Sequence, residues 1–175
     1  NVTVAILDTG VDISNSDLAG HLWVNSDEIP GNGIDDAGNG YADDVHGWNF
    51  RDGSSSLYSS GQDAHGTHCF STIAADCNSD GIAGICGSAN NIKVMVLQAF
   101  DGTTFSGRTQ DIISAIKYAE ANGASIVNLS LGIDTFNSAL YQEMKNSGIL
   151  FVCAAGNYGN DSDTSPLYPA AFDLP

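Results

Sequence analysis

Four short apolar runs punctuate the chain: Val2-Thr3-Val4-Ala5-Ile6-Leu7, Ile92-Lys93-Val94-Met95-Val96-Leu97, Ser125-Ile126-Val127-Asn128-Leu129-Ser130-Leu131 and Ile149-Leu150-Phe151-Val152-Cys153-Ala154. Each is too short for a helix, and the first gives way to turn residues at Asp8-Thr9-Gly10. Runs that are apolar on both faces predict strands of a buried parallel sheet. Between them the period changes. Ile112, Ile113, Ile116 and Ala119 recur at helical spacing between Thr109 and Asn122, and Gly123 is placed to end that helix. Further helices are predicted from His65 to about Cys77, after the polar stretch Ser59 to Asp63, and from Ser138 to Ser147. The alternation of strands and helices predicts an α/β domain, a doubly wound, mainly parallel sheet with helices on both faces, extending over 1–175 without a repeat.

In such a fold ligands gather at the carboxyl ends of the strands. Asp8, Ser130 to Gly132 and Gly156-Asn157 all fall there. The segment Asn25 to Asp63 stands outside the alternation. It is long, polar and glycine-rich, and an insertion of that length in a compact α/β fold is usually functional or metal-bound.

Composition narrows the classes of partner. The sequence is 42% hydrophobic, which argues against disorder, and five basic residues face 21 acidic ones for a net charge of −16. Nucleic acid and anionic membrane surfaces are therefore unfavourable partners, and cations are natural ones. Asp27, Glu28, Asp35, Asp36, Asp43 and Asp44 crowd one stretch, which points to calcium. No apolar run approaches the ~18 residues needed to span a bilayer. The chain opens at Asn1 within a predicted strand and lacks a signal peptide's basic start and apolar core, so it is expected to be a processed piece of something longer. The four cysteines are too few for a disulfide scaffold; Cys77 and Cys86 flank a glycine-rich loop and could pair or remain free.

The loop Asp35-Asp36-Ala37-Gly38-Asn39-Gly40-Tyr41-Ala42-Asp43-Asp44 offers oxygens around a glycine turn. Asp35, Asn39, Gly40 and Asp43 stand in the register of an EF-hand, but Ala37 replaces a ligand and the terminal glutamate is missing. The loop fails as an EF-hand and stands as a calcium-ordered insertion or a solvated acidic loop. No C-x-x-C or H-E-x-x-H pattern supports zinc, and no G-x-G-x-x-G or Walker motif supports a nucleotide-binding domain.

An aspartate leaving a buried strand, a histidine on the first turn of a helix and an asparagine after Ala154-Ala155-Gly156 are three parts of an acyl-transfer site: acid, base and oxyanion donor. In order, the blocks Asp8-Thr9-Gly10-Val11-Asp12, His65-Gly66-Thr67-His68-Cys69, Asn128-Leu129-Ser130-Leu131-Gly132 and Ala154-Ala155-Gly156-Asn157 resemble those of the subtilisin-like serine proteases, the subtilases. The resemblance implies that Asp8 is the triad acid, His65 the general base and Asn157 the oxyanion donor. It implies that Ser130, Leu131 and Gly132 form one backbone rail for an extended polypeptide substrate, Gly102 to Ser106 the facing rail, and Ala154 to Gly156 a wall of the pocket for the residue on the acyl side of the cleaved bond (P1). A non-catalytic peptide-binding module with the same rails is the competing reading.

The family's nucleophile lies in a Gly-Thr-Ser-Met-Ala helix start beyond the Asn157 block. No such motif occurs in this sequence, so the fragment by itself is expected to be inactive. The resemblance further implies a calcium site built from Asp17, Asp76, Asn78, Asp80 and Ile82, an inhibitory propeptide in a precursor, and secretion or passage through the secretory pathway. Cys69 resembles the proteinase K branch. Phe70 and Ser71 depart from the usual small residues, so the helix carrying His65 is expected to pack differently. Of the remaining histidines, His21 and His46 are expected at the surface and His68 packed against the domain.

Overall fold

A computed structural model describes residues 1–59 and 64–174. The polar lead-in at 60–63 lies outside the described residues. Five strands form one parallel sheet: β1 (Val2–Asp8), β2 (Gly47–Asn49), β3 (Ile92–Gln98), β4 (Ile126–Leu129) and β5 (Leu150–Cys153), in the order β2-β3-β1-β4-β5. Three helices connect them: α1 (Ala64–Ala74), α2 (Thr109–Ala121) and α3 (Ser138–Asn146).

Side chains alternate across the sheet and feed two cores. Ala5, Leu7, Met95, Leu97, Val127 and Leu129 meet α2 and α3 on one face. Ile6, Val94 and Val96 meet Phe70 and Ala74 of α1 on the other. Phe70 is fully buried there, so the departure from a small residue is absorbed as core volume. Burying a phenylalanine side chain is worth roughly 1.5–3 kcal/mol, which helps hold α1 against β1.

Each helix ends for a local reason. α1 stops at Ala74, three residues before the expected Cys77, because the returning loop takes its last carbonyls: Ile85 N–H donates to Thr72 O and Cys86 N–H to Ile73 O. α2 closes at Gly123, whose φ of 75° is the left-handed conformation that a helix C-terminus favours. At the start of α3, Asn137 Oδ1 accepts from the N–H groups of Ala139 and Leu140. β2 adds to the expected strands; three residues in a polar stretch become a strand only by pairing with Val96 to Gln98.

Two histidine expectations are corrected. His21 is buried, at 4% exposure, with Nδ1 3.1 Å from Ile92 O and Nε2 3.3 Å from Gly87 O. Main-chain carbonyls distant in sequence enclose it. His68 is exposed, because the buried stripe of α1 is Gly66, Phe70 and Ala74, and His68 lies on the opposite side of the helix. His46 is half-buried, with Nδ1 2.8 Å from Trp23 O.

The insertion is anchored from within. Asp44 is fully buried and accepts from Asn25 Nδ2 (2.7 Å), Asn39 Nδ2 (2.9 Å) and Tyr118 Oη (2.5 Å). A buried carboxylate is tolerated when donors surround it. Burial and the Asp44 hydrogen bond push the Tyr118 hydroxyl well above the usual phenol range. Around this knot Tyr41 packs edge-on against Trp48, Phe50 and Tyr118, which pins the loop to α2.

Candidate active site

β1 delivers Asp8 at its carboxyl end, 3% exposed, and α1 delivers His65 on its first turn. Asp8 Oδ1 accepts the Thr9 N–H at 2.7 Å and lies 2.7 Å from His65 Nδ1. A carboxylate only accepts, so Nδ1 carries the hydrogen and Nε2 is left on the far side of the ring. Asp8 Oδ2 is buried and has no hydrogen-bond partner among the described residues.

The two segments are locked by their own backbone chemistry. Gly66 N–H donates to Thr9 Oγ1 (3.2 Å), and Asp12 N–H donates to Thr67 Oγ1 (2.9 Å). Gly66 has no room for a side chain: a methyl group there would lie 2.1 Å from Gly10 O and 3.3 Å from Asp8 Cβ. Thr9, Gly66 and Thr67 are thus positioning residues within the quoted motifs, where the sequence alone marked only the acid and the base.

One turn beyond His65, Cys69 Sγ lies 3.9 Å from His65 Nδ1 and donates toward Ser130 Oγ at 3.6 Å. Burial pushes the Cys69 thiol up, with the charge of Asp8 adding and the Ser130 hydrogen bond opposing. Ser130 Oγ also accepts from Asn128 Nδ2 at 2.9 Å. Asp8, His65 and Cys69 are the only group of three potential metal-binding residues among the described ones whose ligand atoms lie within 4.8 Å of one another.

Strand register sets the remaining positions. Leu7 pairs with Leu129, and Leu129 with Cys153, so Asp8, Ser130 and Ala154 begin the same row of strand ends. Leu131 is half-buried, whereas Gly132 and Ala154, Ala155, Gly156 and Asn157 are exposed beyond the sheet. The loop Gly102 to Ser106 is held by Asp101, whose Oδ1 accepts the N–H groups of Thr103 (2.9 Å) and Thr104 (2.7 Å) and whose Oδ2 pairs with Arg51. The Thr104 N–H, then the Arg51 guanidinium, hold the Asp101 carboxyl far below the usual carboxylate range. At the tip, Ser106 Oγ lies 2.7 Å from Thr104 Oγ1. Phe105 adopts φ 53° and sets its ring edge-on to His65 at 5.6 Å. Nothing in the motifs singles Phe105 out; its role follows from the turn that Asp101 imposes.

The metal candidates divide. Asp17 Oδ1 accepts from Asn78 Nδ2 at 2.6 Å, and Asp17, Gly81 and Ile82 line one shallow cleft. Asn78 Oδ1 is taken by the Asp80 N–H. The Asp76 carboxylate faces His21 instead, 3.4 Å from Nε2. In the insertion, Asp35 accepts the N–H groups of Asn39 and Gly40, and Asp43 those of Gly31, Asn32 and Gly33. Asn39 Oδ1 accepts the Tyr41 N–H. These side chains order the loop by caging its own amides. All four cysteines are free, including Cys77 and Cys86.

At the carboxyl edge of a parallel sheet, then, a buried aspartate holds a half-exposed histidine in one orientation. The chain belongs to the subtilase family, whose model matches residues 1–173. It is similar to the major intracellular serine protease of Bacillus subtilis, 36% identical over 178 residues, covering 99% of this chain and 49% of that protein. Thermitase of Thermoactinomyces vulgaris is 34% identical over 172 residues, covering 97% and 51%. The chain spans about half the length of these relatives. Among solved structures, the psychrophilic subtilisin-like protease Apa1 from an Antarctic Pseudoalteromonas superposes with a TM-score of 0.72 at 26% identity, covering 98% of this chain and 34% of that one.

Proposed function

We propose that these residues carry the acid, base and oxyanion donor of a serine endopeptidase, and that the nucleophilic serine is supplied by polypeptide outside this sequence. In this reading His65 Nε2 takes the serine proton as Oγ attacks the substrate carbonyl, and Asp8 stabilises the resulting imidazolium. The same proton then passes to the leaving amine, and water repeats the cycle on the acyl-enzyme. Asn157 donates to the oxyanion; in subtilisin such a donor is worth about 3 to 4 kcal/mol. Ser130 serves the binding rail, since its hydroxyl is engaged by Asn128 and Cys69. An extended polypeptide would add as a strand between Ser130–Gly132 and Gly102–Ser106.

The observation that carries this reading is the 2.7 Å contact between His65 Nδ1 and an Asp8 that is 3% exposed. The test is fluorophosphonate labelling of the full-length protein. Labelling should occur in the wild type and vanish in His65→Ala; persistent labelling would overturn the assignment. An inhibitory propeptide and a secreted or secretory location belong to the same proposal.

Calcium fits the first of the two predicted places. There Asp17 and Asn78 already meet, and turning the Asn78 amide would present its oxygen beside the Asp17 carboxylate; the ion would tie the loop after α1 to the segment after β1. The insertion fits less well, since Asp35, Asn39 and Asp43 each face their own loop backbone.

A further inference from the structure

Three Asn-x-Ser/Thr triplets occur in the sequence, Asn1-Val2-Thr3, Asn128-Leu129-Ser130 and Asn160-Asp161-Ser162, each with the form of an acceptor for N-linked oligosaccharide. The fold sorts them. Asn128 lies within β4, where it pairs with Ile6 of β1 on one side and Val152 of β5 on the other, and its Nδ2 is spent on Ser130 Oγ at 2.9 Å. An oligosaccharide there would break the sheet. Asn1 is exposed but leads into the amino end of β1, at the end of the strand opposite Asp8.

Asn160 is placed differently. Every residue from Ala154 to Ser165 is exposed, and the chain turns immediately after Asn160. Asp161 Oδ1 accepts the Asp163 N–H at 3.0 Å, and Asp161 O accepts the N–H groups of Thr164 at 3.1 Å and Ser165 at 2.8 Å. The turn is closed by Asp161 itself, so modifying the Asn160 amide breaks none of these bonds. Asn160 also lines, with Ala155, Gly156 and Tyr158, a cleft of about 250 Å³. That cleft adjoins the stretch that the proposed function gives to substrate binding.

We propose that Asn160 is an N-glycosylation site whose oligosaccharide screens this cleft from large folded proteins while admitting extended peptides. In the transfer, Asn160 Nδ2 bonds to the anomeric carbon of a polyprenyl-pyrophosphate-linked oligosaccharide. The bond from that carbon to the pyrophosphate oxygen breaks, polyprenyl pyrophosphate leaves with the electron pair, and one Nδ2 proton passes to a base of the transferase. The modification rests on the proposed passage through the secretory pathway, and its screening effect on the proposed endopeptidase function. Its physical basis is size: a glycan is bulky and hydrated, so the exclusion it imposes grows with the bulk of the approaching substrate.

The test uses the full-length protein expressed through the secretory pathway of its own cells. Peptides spanning Asn160 are mapped by mass before and after peptide:N-glycosidase, which releases the oligosaccharide and leaves aspartate in place of asparagine. Oligosaccharide should be found on Asn160 in the wild type and be lost in both Asn160→Gln and Ser162→Ala. An unmodified Asn160 in the wild type overturns the site, whatever the activity of the preparation. The second readout is the ratio of kcat/KM for a folded protein substrate over a short peptide within one preparation, which cancels the fraction of folded enzyme. That ratio should rise severalfold when the wild type is deglycosylated and in either variant. A ratio unmoved by all three overturns the screening role while leaving the modification and the endopeptidase function intact. Absence of peptide cleavage overturns the endopeptidase function and the screening role with it, while the mass of the Asn160 peptide still decides the site.

Discussion

Replacing Gly66 by alanine isolates the contact on which the acid–base pair depends. The new methyl would lie 2.1 Å from Gly10 O, whereas carbon–oxygen contacts settle at about 3.3 Å. The first turn of α1 must therefore retreat from the Asp8-Thr9-Gly10 turn by about 1.2 Å, or Gly10 must yield, and Gly10 is already committed to φ 113°. If α1 moves, the 2.7 Å separation of His65 Nδ1 and Asp8 Oδ1 lengthens to about 3.9 Å, which is no longer a hydrogen bond. A misplacement of about 1 Å costs on the order of 100-fold in rate, so kcat/KM of the full-length enzyme should fall by about that factor. The strain should also lower stability by about 1–3 kcal/mol. A readout that needs no turnover is the His65 Nδ1–H proton resonance, which should lose its downfield position as the bond to Asp8 breaks. An unchanged resonance together with an unchanged denaturation midpoint would refute the reasoning, because the methyl would then have been accommodated without moving either segment.

Tyr118→Phe removes one of three donors to the buried Asp44 and should cost about 1.5–3 kcal/mol in denaturant unfolding; no loss would mean that water replaces the hydroxyl. Because Asp101 is held below its unfolded value, its contribution to stability is present above the ordinary carboxylate range and is lost only as pH falls through the lower folded value. Order in Gly102 to Ser106, followed by amide exchange, should accordingly persist through pH 4 in the wild type and be lost at all pH values in Asp101→Ala. Calcium at millimolar concentration should raise the melting midpoint of the full-length protein, and Asp17→Ala should abolish that shift. A shift that survives in Asp17→Ala would place the ion elsewhere.

The features legible in the amino-acid pattern are local ones. The apolar runs announce β1, β3, β4 and β5, and the blocks around Asp8 and His65 announce the pair that meets at 2.7 Å. Features that escape the pattern depend on partners distant in the chain. Gly47 to Asn49 carries no strand signal and is extended by β3. His21 is buried by carbonyls at positions 87 and 92. Asp44 reads as one more acid in an acidic loop, and its donor Tyr118 lies far along the chain. Leu167 reads as an isolated apolar residue, and only the fold brings it against Gly132 and Gly156.

The last strand carries a consequence for anyone handling these residues by themselves. Among the described residues β5 pairs with β4 alone, and Leu150 and Val152 are 61% and 50% exposed. Unpaired edges recruit copies of themselves. Opposing this, a net charge of −16 keeps molecules apart in dilute buffer. Salt shrinks that repulsion to a range of about 10 Å at 0.1 M while leaving strand pairing untouched. Turbidity and sedimentation should therefore grow with ionic strength, the reverse of an assembly built on opposite charges.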